Sequence, residues 1–324
     1  MIFTRPDRVS KTGACGTKID EPLYVISPIF NPIRYRNRWK LYKDFAHMVY
    51  LSGAKLVTVE IAFGERDFVL EHDIDHDIYV SLRMKDELWI KENAINIGFS
   101  RLPSDWKYAA WIDGDVKFVR DDWDNEAIHQ LQHYKIIQRW SQSADLSPQY
   151  EILRLFRSYS YCVLNNIPRK GAGYYKQGEY YHPGYAWAIR RDAFNQLGGL
   201  IDFAILGGAD LFQAEILFGH HRLWPKSLGQ SGIRWLKIWQ ERANKYIKKN
   251  VGYMDGLILH YWHGKKQNRR YQDRGSILVQ ANFDPEKDLK RDYQGLWQLN
   301  HDNIALRDGI RRYFRERNED SIDI

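Results

Sequence analysis

Blocks of apolar residues follow one another along the chain with two different spacings. The compact run LYVISPIFNP, at 23–32, predicts a buried first strand that Asn-Pro ends. In the next segment apolar residues recur at helical spacing as far as Gly53, and AKLVTVEIAFG then predicts a second strand. A strand, a helix and a strand in this order favour a parallel sheet covered by helices.

The alternation of strand and helix patterns continues further along the chain. The later predicted helices are DELWIKENAINIGFSRLP, which Pro103 ends, NEAIHQLQHY, GADLFQAEILFG and IRWLKIWQERANKYIKK. The later predicted strands are KYAAWIDGD and DGLILHYWHGKK. The segment YAWAIRRDAFNQLGG begins as a strand and becomes a helix that a glycine ends. Residues 124–180 otherwise give a mixed pattern.

These patterns predict three segments. Residues 1–22 are polar and are expected to form an N-terminal arm, and residues 23–270 are expected to form one α/β domain. Residues 271–324 form a charged C-terminal extension with one amphipathic segment, NIALRDGIRRYFRER, which predicts a helical extension.

Composition narrows the class of protein. The chain has 48 Lys plus Arg against 41 Asp plus Glu, a net charge of +7, which suits an anionic ligand such as a nucleotide or a nucleic acid. Two cysteines, Cys15 and Cys162, do not form a disulfide framework. The start, MIFTRPDRVSKTG, has no apolar core of a signal peptide, and the most apolar stretch, 199–219, contains three acids. We therefore expect a cytoplasmic protein without a membrane partner.

Two carboxylates flank a glycine where one predicted strand ends. Asp113 and Asp115 follow the buried run KYAAWI, and ligands bind at the carboxyl ends of strands in open α/β sheets. Two acids at such a place repel each other and lose hydration, which a divalent cation or arginine partners would resolve. The alternative interpretation is an ordinary solvated turn.

Two histidines end the last predicted strand. His260 and His263 would face opposite ways on a continued strand, but a turn at 262–264 would bring both imidazoles together. A mixed set of carboxylate and imidazole ligands suits Mn²⁺ better than Ca²⁺, and Mg²⁺ is the alternative cofactor. The alternative is that one histidine packs in the core while the other is exposed.

A third candidate follows two glycines in LGGAD. Asp210 opens a predicted helix, where an acid is by default a helix cap. Its functional interpretation is a general base in a pocket that the glycines open to a substrate.

The order of these motifs resembles the GT-A glycosyltransferases, and within them the β-1,4-galactosyltransferase-type family. SPIFNPIRYRNR is similar to, but looser than, the family's first turn, and KENAINIGFSRLPSDWKYAAWIDGDVKF follows the family's helix and Asp-x-Asp strand, with Asn96, Gly98 and Phe99 in place. YHPGYAWAIRRDAFNQLGG fits the next strand and helix. The resemblance covers roughly residues 23–270.

Two positions depart from the family pattern. Ala209 stands where Gly-Gly-Glu-Asp has the glutamate that helps to hold the acceptor sugar, although Asp210 matches the catalytic base. His260 stands where the family has the methionine of Met-x-x-His, and it is still a competent metal ligand.

The resemblance implies a GT-A (Rossmann-like) mixed sheet with helices on both faces and a metal-dependent inverting transfer from a nucleotide-sugar, expected to be a UDP-sugar. Asp210 would be the catalytic base. The implied metal ligands are Asp113, Asp115, His260 and His263. The implied contacts to the donor are Asn31, Arg34, Asp113, Gly184, Lys265 and Lys266. Lys265, Lys266 and Arg269 would close on the diphosphate as a basic loop, or form a solvated charged loop.

The acceptor stays open between a hydroxymethylated base in DNA, as in phage-type DNA glycosyltransferases, and a glycan or small-molecule hydroxyl. Basic residues on one predicted helix would bind DNA, and three tyrosines would stack on the acceptor. These residues are Arg234, Lys237, Lys245, Lys248 and Lys249, and Tyr174, Tyr175 and Tyr180. A different class, a non-catalytic nucleic-acid-binding module on the same fold, is the other alternative.

Overall fold

The structure is a computed structural model, and it describes residues 20–168, 180–220, 224–271, 273–300 and 303–324. Nearly all of the predicted N-terminal arm lies outside the described residues. So do Tyr174 and Tyr175 of the predicted stacking loop.

Strands and helices follow one another along the described residues. The strands are β1 (Leu23–Phe30), β2 (Lys55–Phe63), β3 (Ile78–Met84), β4 (Tyr108–Ile112), β5 (Val116–Phe118), β6 (Ile136–Gln138), β7 (Gln142–Leu146), β8 (Ile152–Ser158), β9 (Tyr181–His182), β10 (Ala186–Arg190), β11 (Val251–Tyr253), β12 (Leu257–His260), β13 (Leu289–Arg291) and β14 (Trp297–Leu299). The helices are α1 (Arg36–Ser52), α2 (Lys91–Phe99), α3 (Trp123–His133), α4 (Tyr159–Leu164), α5 (Arg191–Leu197), α6 (Ala209–Leu217), α7 (Gly229–Arg242), α8 (Gly275–Gln280), α9 (Pro285–Asp288) and α10 (Ile304–Glu316).

A seven-stranded mixed sheet forms the centre, in the order β11-β6-β10-β4-β1-β2-β3. β10 runs antiparallel to β4 and β6, and the other pairs are parallel. Successive residues of a strand face opposite sides, so Val25 and Ala110 pack with α1 and α3, whereas Ile26 and Ala109 pack with α2, α5, α6 and α7. The predicted α/β class, with a mixed sheet and helices on both faces, is confirmed.

A second sheet, in the order β5-β12-β7-β8-β9, was not predicted from the sequence. The short turn 113–115 joins β4 of the central sheet to β5 of the second sheet. The turn between two acids therefore lies where the two sheets meet, at the carboxyl end of β4. The strands of the second sheet are short, and two of them, β7 and β8, lie in the region of mixed pattern, where periodicity is too brief to identify a strand.

The C-terminal extension folds back onto the amino end of α1. Both carboxylate oxygens of Asp320 accept hydrogen bonds from backbone N–H groups of that helix, Arg36 at 2.9 Å and Asn37 at 2.9 Å. The residue that precedes α1, Tyr35, provides no side-chain cap, so Asp320 satisfies donors that would otherwise be open. The predicted amphipathic segment of the extension forms α10, and the extension also contains the antiparallel hairpin of β13 and β14.

The predicted helix 86–103 is shorter than expected. It begins at Lys91 and ends at Phe99, before Pro103. The backbone N–H of Trp89 donates to the carbonyl of Ile205 at 3.0 Å, a tertiary bond that holds this segment out of the helix. The predicted α1, β1 and β2 agree with the structure, and Gly53 ends α1 in the left-handed conformation, at φ 92°. Among the described residues, the helices are all too short or too polar to cross a membrane.

Candidate active site

One cleft collects most of the residues that the sequence singled out. It lies at the carboxyl ends of β1 and β4, between the two sheets and the C-terminal extension. The predicted site residues that line it are Asp113, Asp115, Gly184, Asp210, His260, His263 and Lys266.

The register of the second sheet explains why three of these groups meet. β12 lies between β5 and β7, so His260 pairs with Val116 on one side and with Asp145 on the other. The backbone N–H of Tyr261 donates to the carbonyl of Asp115 at 2.9 Å, which fixes that turn beside the end of β12. The chain then turns and returns His263 to the same place.

Asp115, His260 and His263 form one compact group. One side-chain ligand atom from each lies within 4.8 Å of the others. The Nε2 atoms of the two histidines are 3.1 Å apart, and an Asp115 oxygen lies 3.2 Å from His263 Nε2. The convergence of both imidazoles at a turn, one of the two sequence alternatives, is the arrangement that the structure contains.

The chemistry of this group fits a divalent metal ion. Asp115 Oδ1 is buried and has no hydrogen-bond partner among the described residues. Burial, with the positive charge of Arg269 beside it, holds the pKa of His263 well below its usual range, so this imidazole is neutral and able to ligate. An open buried carboxylate oxygen beside two close imidazole nitrogens is a donor set that Mn²⁺ accepts.

Asp113 lies in the same cleft but outside this group. Its carboxylate forms an ion pair with Lys91, the residue that opens α2. Burial raises the pKa of Asp113, Lys91 opposes that rise, and Asp115 adds to it. The structure therefore gives the first acid of the pair a lysine partner, while the second acid meets the histidines.

Asp145 is a site residue that the sequence did not reveal. This buried carboxylate accepts from His260 Nδ1 at 2.8 Å and from the Tyr185 hydroxyl at 3.0 Å, and it forms an ion pair with Lys266. Burial alone would raise the pKa of Asp145, but His260 and Lys266 outweigh burial and hold it well below its usual range. A carboxylate can only accept here, so the proton of His260 is on Nδ1 and its Nε2 lone pair faces the other ligands.

We expect Asp145→Asn to weaken Mn²⁺ binding by about 10- to 100-fold, the usual effect of losing a residue that orients a ligand. The amide keeps the shape of the side chain but removes the charge that fixes the tautomer of His260. Electron paramagnetic resonance of free Mn²⁺ in a titration measures the dissociation constant. Asp255→Asn, at an exposed position, is the control. An unchanged dissociation constant in Asp145→Asn would contradict the role of this carboxylate.

Asp210 faces the cleft from the start of α6. Gly208 precedes the helix with a φ of 100°, a conformation that a residue with a Cβ rarely adopts. Asp210 Oδ1 accepts from the N–H of Leu211 at 2.9 Å, while Oδ2 lies 2.9 Å from the place that a Cβ on Gly184 would occupy. Asp210 is therefore not the residue that precedes the helix, and the bare backbone of Gly184 gives it room.

Glu92 is a second acid that sequence reasoning missed. It is 5% exposed and lines the cleft beside Lys91. Burial raises the pKa of Glu92 to about 8, with Lys91 opposing and Asp210 adding to the rise. The side chain is therefore largely protonated at neutral pH and can donate a hydrogen bond. The sequence pattern of a predicted helix does not distinguish a glutamate that lines a cleft from one that is exposed to solvent.

Cationic side chains form another wall of the cleft. They are Arg38, Lys91, Arg154, Lys266, Arg269, Arg274 and Arg317, the last two from the C-terminal extension. Arg269 Nη2 also donates to Nε2 of His263, the atom that a metal would use, so metal binding requires this guanidinium to move.

Three residues predicted to contact the donor do not reach this cleft. The Asn31 side chain bonds both backbone groups of Tyr35, at 2.8 and 2.9 Å, and so stabilises the turn before α1. Asn31 and Arg34 line a separate small hollow beside β2, where the Arg34 guanidinium lies 5.8 Å from the ring of Trp39. Lys265 precedes the 3₁₀ turn that places Lys266 in the cleft.

Among the described residues that were predicted to bind the acceptor, one lines the cleft and the others do not. Tyr180 lines the cleft, with its ring 6.2 Å from that of Phe156. The five basic residues of the α7 region are exposed but do not line the cleft, and Arg234 forms an ion pair with Glu286.

Comparisons with known proteins give weak likenesses. No protein-family model matches the sequence, and no curated protein matches it. One similar solved structure is the catalytic domain of Drosophila β1,4-galactosyltransferase 7 in complex with xylobiose, with 12% sequence identity and a TM-score of 0.35. The match covers 73% of this chain and 65% of the galactosyltransferase chain. This chain thus spans less than two thirds of the length of that galactosyltransferase chain.

A second solved structure is glucosyl-3-phosphoglycerate synthase from Mycobacterium tuberculosis in complex with Mn²⁺, UDP-glucose and phosphoglyceric acid. It has 9% identity, covers 86% of each chain and has a TM-score of 0.40. The inositol-1-phosphate CTP transferase from T. maritima has 8% identity, covers 75% of this chain and 90% of its own, and has a TM-score of 0.35. Likenesses at this level do not assign an activity.

Proposed function

We propose that this protein is a metal-dependent inverting glycosyltransferase that moves a sugar from a nucleotide-sugar, with UDP-sugars as the first candidates, to a hydroxyl acceptor. One observation carries the proposal. Asp115, His260 and His263 converge within 4.8 Å in the same cleft that Asp210 faces from a glycine loop. A cation site can stabilise a diphosphate leaving group and a carboxylate base can activate a hydroxyl, so one cleft with both suits the transfer of a sugar to a hydroxyl.

Asp115, His260 and His263 would hold the metal, which supplies positive charge to the leaving diphosphate. Lys266 and Arg269 supply further positive charge beside this group. Lys266 is held by Asp145, and Arg269 is 8% exposed. Cations placed beside the leaving group stabilise the charge that grows on its oxygen.

Asp210 acts as the general base of the proposed reaction. Its carboxylate takes the proton of the acceptor hydroxyl, and the acceptor oxygen forms a bond to the anomeric carbon. The bond from that carbon to the phosphate oxygen breaks, and the nucleoside diphosphate leaves with the electron pair. Attack from the side opposite the leaving group inverts the anomeric configuration.

A hydroxymethylated base in DNA is the more specific acceptor that the sequence suggests, with a glycan hydroxyl as its competitor. The support for DNA is the net charge of +7 and the exposed basic residues near α7. Those residues do not line the cleft, so DNA would have to extend around the molecule for them to contact it. Incubating hydroxymethylated and unmodified DNA with a donor and Mn²⁺, followed by mass analysis of the bases, separates the two acceptors.

The proposed activity is tested by a panel of nucleotide-sugars with Mn²⁺ and no acceptor, read by release of the nucleotide. We expect slow release from at least one donor, its loss in EDTA and its return with added Mn²⁺. No release and no binding of any donor would end the proposal. Donor binding without release, even with acceptors added, would favour the non-catalytic binding module.

A further inference from the structure

Four arginines lie close together on the wall of the cleft, and two of them share one carboxylate. Arg38 and Arg317 both form ion pairs with Glu319, which is 1% exposed. Among the described residues, Arg269 and Arg274 pair with tyrosine hydroxyls and have no carboxylate partner. Among these four arginines and Glu319, four guanidinium groups against one carboxylate leave an excess of three positive charges.

Two of these arginines meet at one oxygen. Arg274 and Arg317 each donate from Nη1 to the hydroxyl of Tyr313, at 3.0 and 2.9 Å. Burial alone would raise the pKa of Tyr313, but the two guanidinium groups outweigh burial and lower it. Glu319 already neutralises Arg317, so the guanidinium of Arg274 is the charge at this oxygen that has no anionic partner among the described residues.

Arg269 also has a buried hydrogen-bond donor that lacks a partner among the described residues. It is 8% exposed, and its Nε is buried without a hydrogen-bond partner in the described part of the chain. The planar fork of an arginine matches the oxygens of a phosphate in a bidentate way. The chemistry of the wall therefore points to a phosphate group rather than to a neutral sugar.

The two ends of the wall face different parts of the site. Arg269 contacts His263 at the candidate metal site. At the other end, Arg274 Nη2 lies 3.2 Å from the place of a Cβ on Gly207, in the loop that leads to Asp210. An anion held by Arg274 would therefore lie next to the general base Asp210, where the acceptor would give up its proton.

We propose that Arg274 and Arg317 form a subsite for a phosphate group carried by the acceptor, and that the C-terminal extension supplies it. The inference rests on the proposed function, because Asp210 defines the acceptor side of the cleft. The acceptor is then a hydroxyl compound with a phosphate monoester or diester, and Arg269 and Lys266 remain for the diphosphate of the donor.

The first test titrates inorganic phosphate into metal-free protein and measures the binding by calorimetry. We expect Arg274→Gln to raise the dissociation constant for phosphate at least tenfold. Arg274→Lys keeps the charge but loses the planar fork, so its dissociation constant should lie between those of the wild-type protein and Arg274→Gln. Arg101→Gln, at an exposed position outside the cleft, should bind as the unchanged protein does. Equal binding by the unchanged protein and by both Arg274 variants would overturn the proposal. Melting curves without phosphate establish that the variants fold.

The second test distinguishes the acceptor's phosphate from the donor's. The titration is repeated with the protein saturated with UDP and Mn²⁺. Phosphate binding that persists, and that still depends on Arg274, supports a separate subsite on the acceptor side. Loss of phosphate binding on saturation would overturn the proposal, because these arginines would then hold the donor. Failure of UDP to bind would count against a UDP-sugar donor, while the first titration, which needs no donor, would still decide whether Arg274 binds phosphate.

The third test identifies the source of the phosphate. Glucose 6-phosphate carries a monoester and a thymidine dinucleotide carries a diester, and each is titrated against the unchanged protein and Arg274→Gln. The compound whose binding weakens at least tenfold in the variant identifies the chemistry of the acceptor. Binding of both compounds without any dependence on Arg274 would overturn the assignment of this subsite.

Discussion

Asp210→Asn is expected to lower the rate of sugar transfer by about 10²- to 10⁴-fold, the usual contribution of a general base. The substitution isolates the charge of the side chain. The carboxylate oxygen that accepts from the N–H of Leu211 at 2.9 Å has an equivalent in the amide, so the start of α6 keeps its hydrogen bond. The amide cannot take a proton from the acceptor, whereas donor binding near the metal ligands should be unchanged.

Two measurements check this expectation. Transfer kinetics with saturating donor give the loss in rate, and calorimetry with the nucleotide gives the binding constant. Asp121→Asn, an exposed position, should leave both values unchanged. Normal transfer by Asp210→Asn would leave Asp210 with a structural role alone. A product with retained anomeric configuration would also contradict a single displacement assisted by this base.

The central parts of the site could be predicted because short-range patterns determine them. A buried apolar run followed by Asp113 and Asp115 predicts acids at the carboxyl end of a strand, and that edge of an α/β sheet is where ligands bind. Glycine after His263 permits a turn, which the sequence leaves as one of two alternatives, and that turn allows His260 and His263 to meet. Each of these inferences needs only the few residues on either side.

Asp145 and the arginine wall could not be predicted in this way. Asp145 becomes a partner of His260 through the register of β7 beside β12, two segments separated by more than a hundred residues. Its own strand lies in the region of mixed pattern. Arg274 and Arg317 reach the cleft because the C-terminal extension folds back, and nothing in a charged tail indicates where it packs.

The difference between Lys265 and Lys266 has the same origin. Neighbouring lysines in one basic loop have equal claims from sequence. The 3₁₀ turn that begins at Lys266 and the carboxylate of Asp145 bring this lysine into the cleft, while Lys265 stays outside. The identity of a contacting side chain in a loop therefore depends on a partner that is remote in sequence.

Removal of a metal ligand should have an effect as large as removal of the base. Asp115→Ala and His263→Ala are each expected to abolish measurable Mn²⁺ binding and most transfer activity. Asp115 is the carboxylate of the group and has a buried oxygen without a partner, and His263 approaches both other ligands. Titration of Mn²⁺ by electron paramagnetic resonance checks the binding without any reliance on catalysis.

His260 allows a finer comparison within the same group. His260→Met and His260→Ala both lose the hydrogen bond to Asp145, so both leave that buried carboxylate with Lys266 and Tyr185 as partners. They differ in that a thioether can still ligate weakly. We therefore expect His260→Met to bind Mn²⁺ more tightly than His260→Ala, and both to bind it less tightly than the unchanged protein. Equal losses in the two variants would mean that His260 acts through Asp145 rather than as a ligand, and full transfer activity in EDTA would contradict a metal site at this cleft altogether.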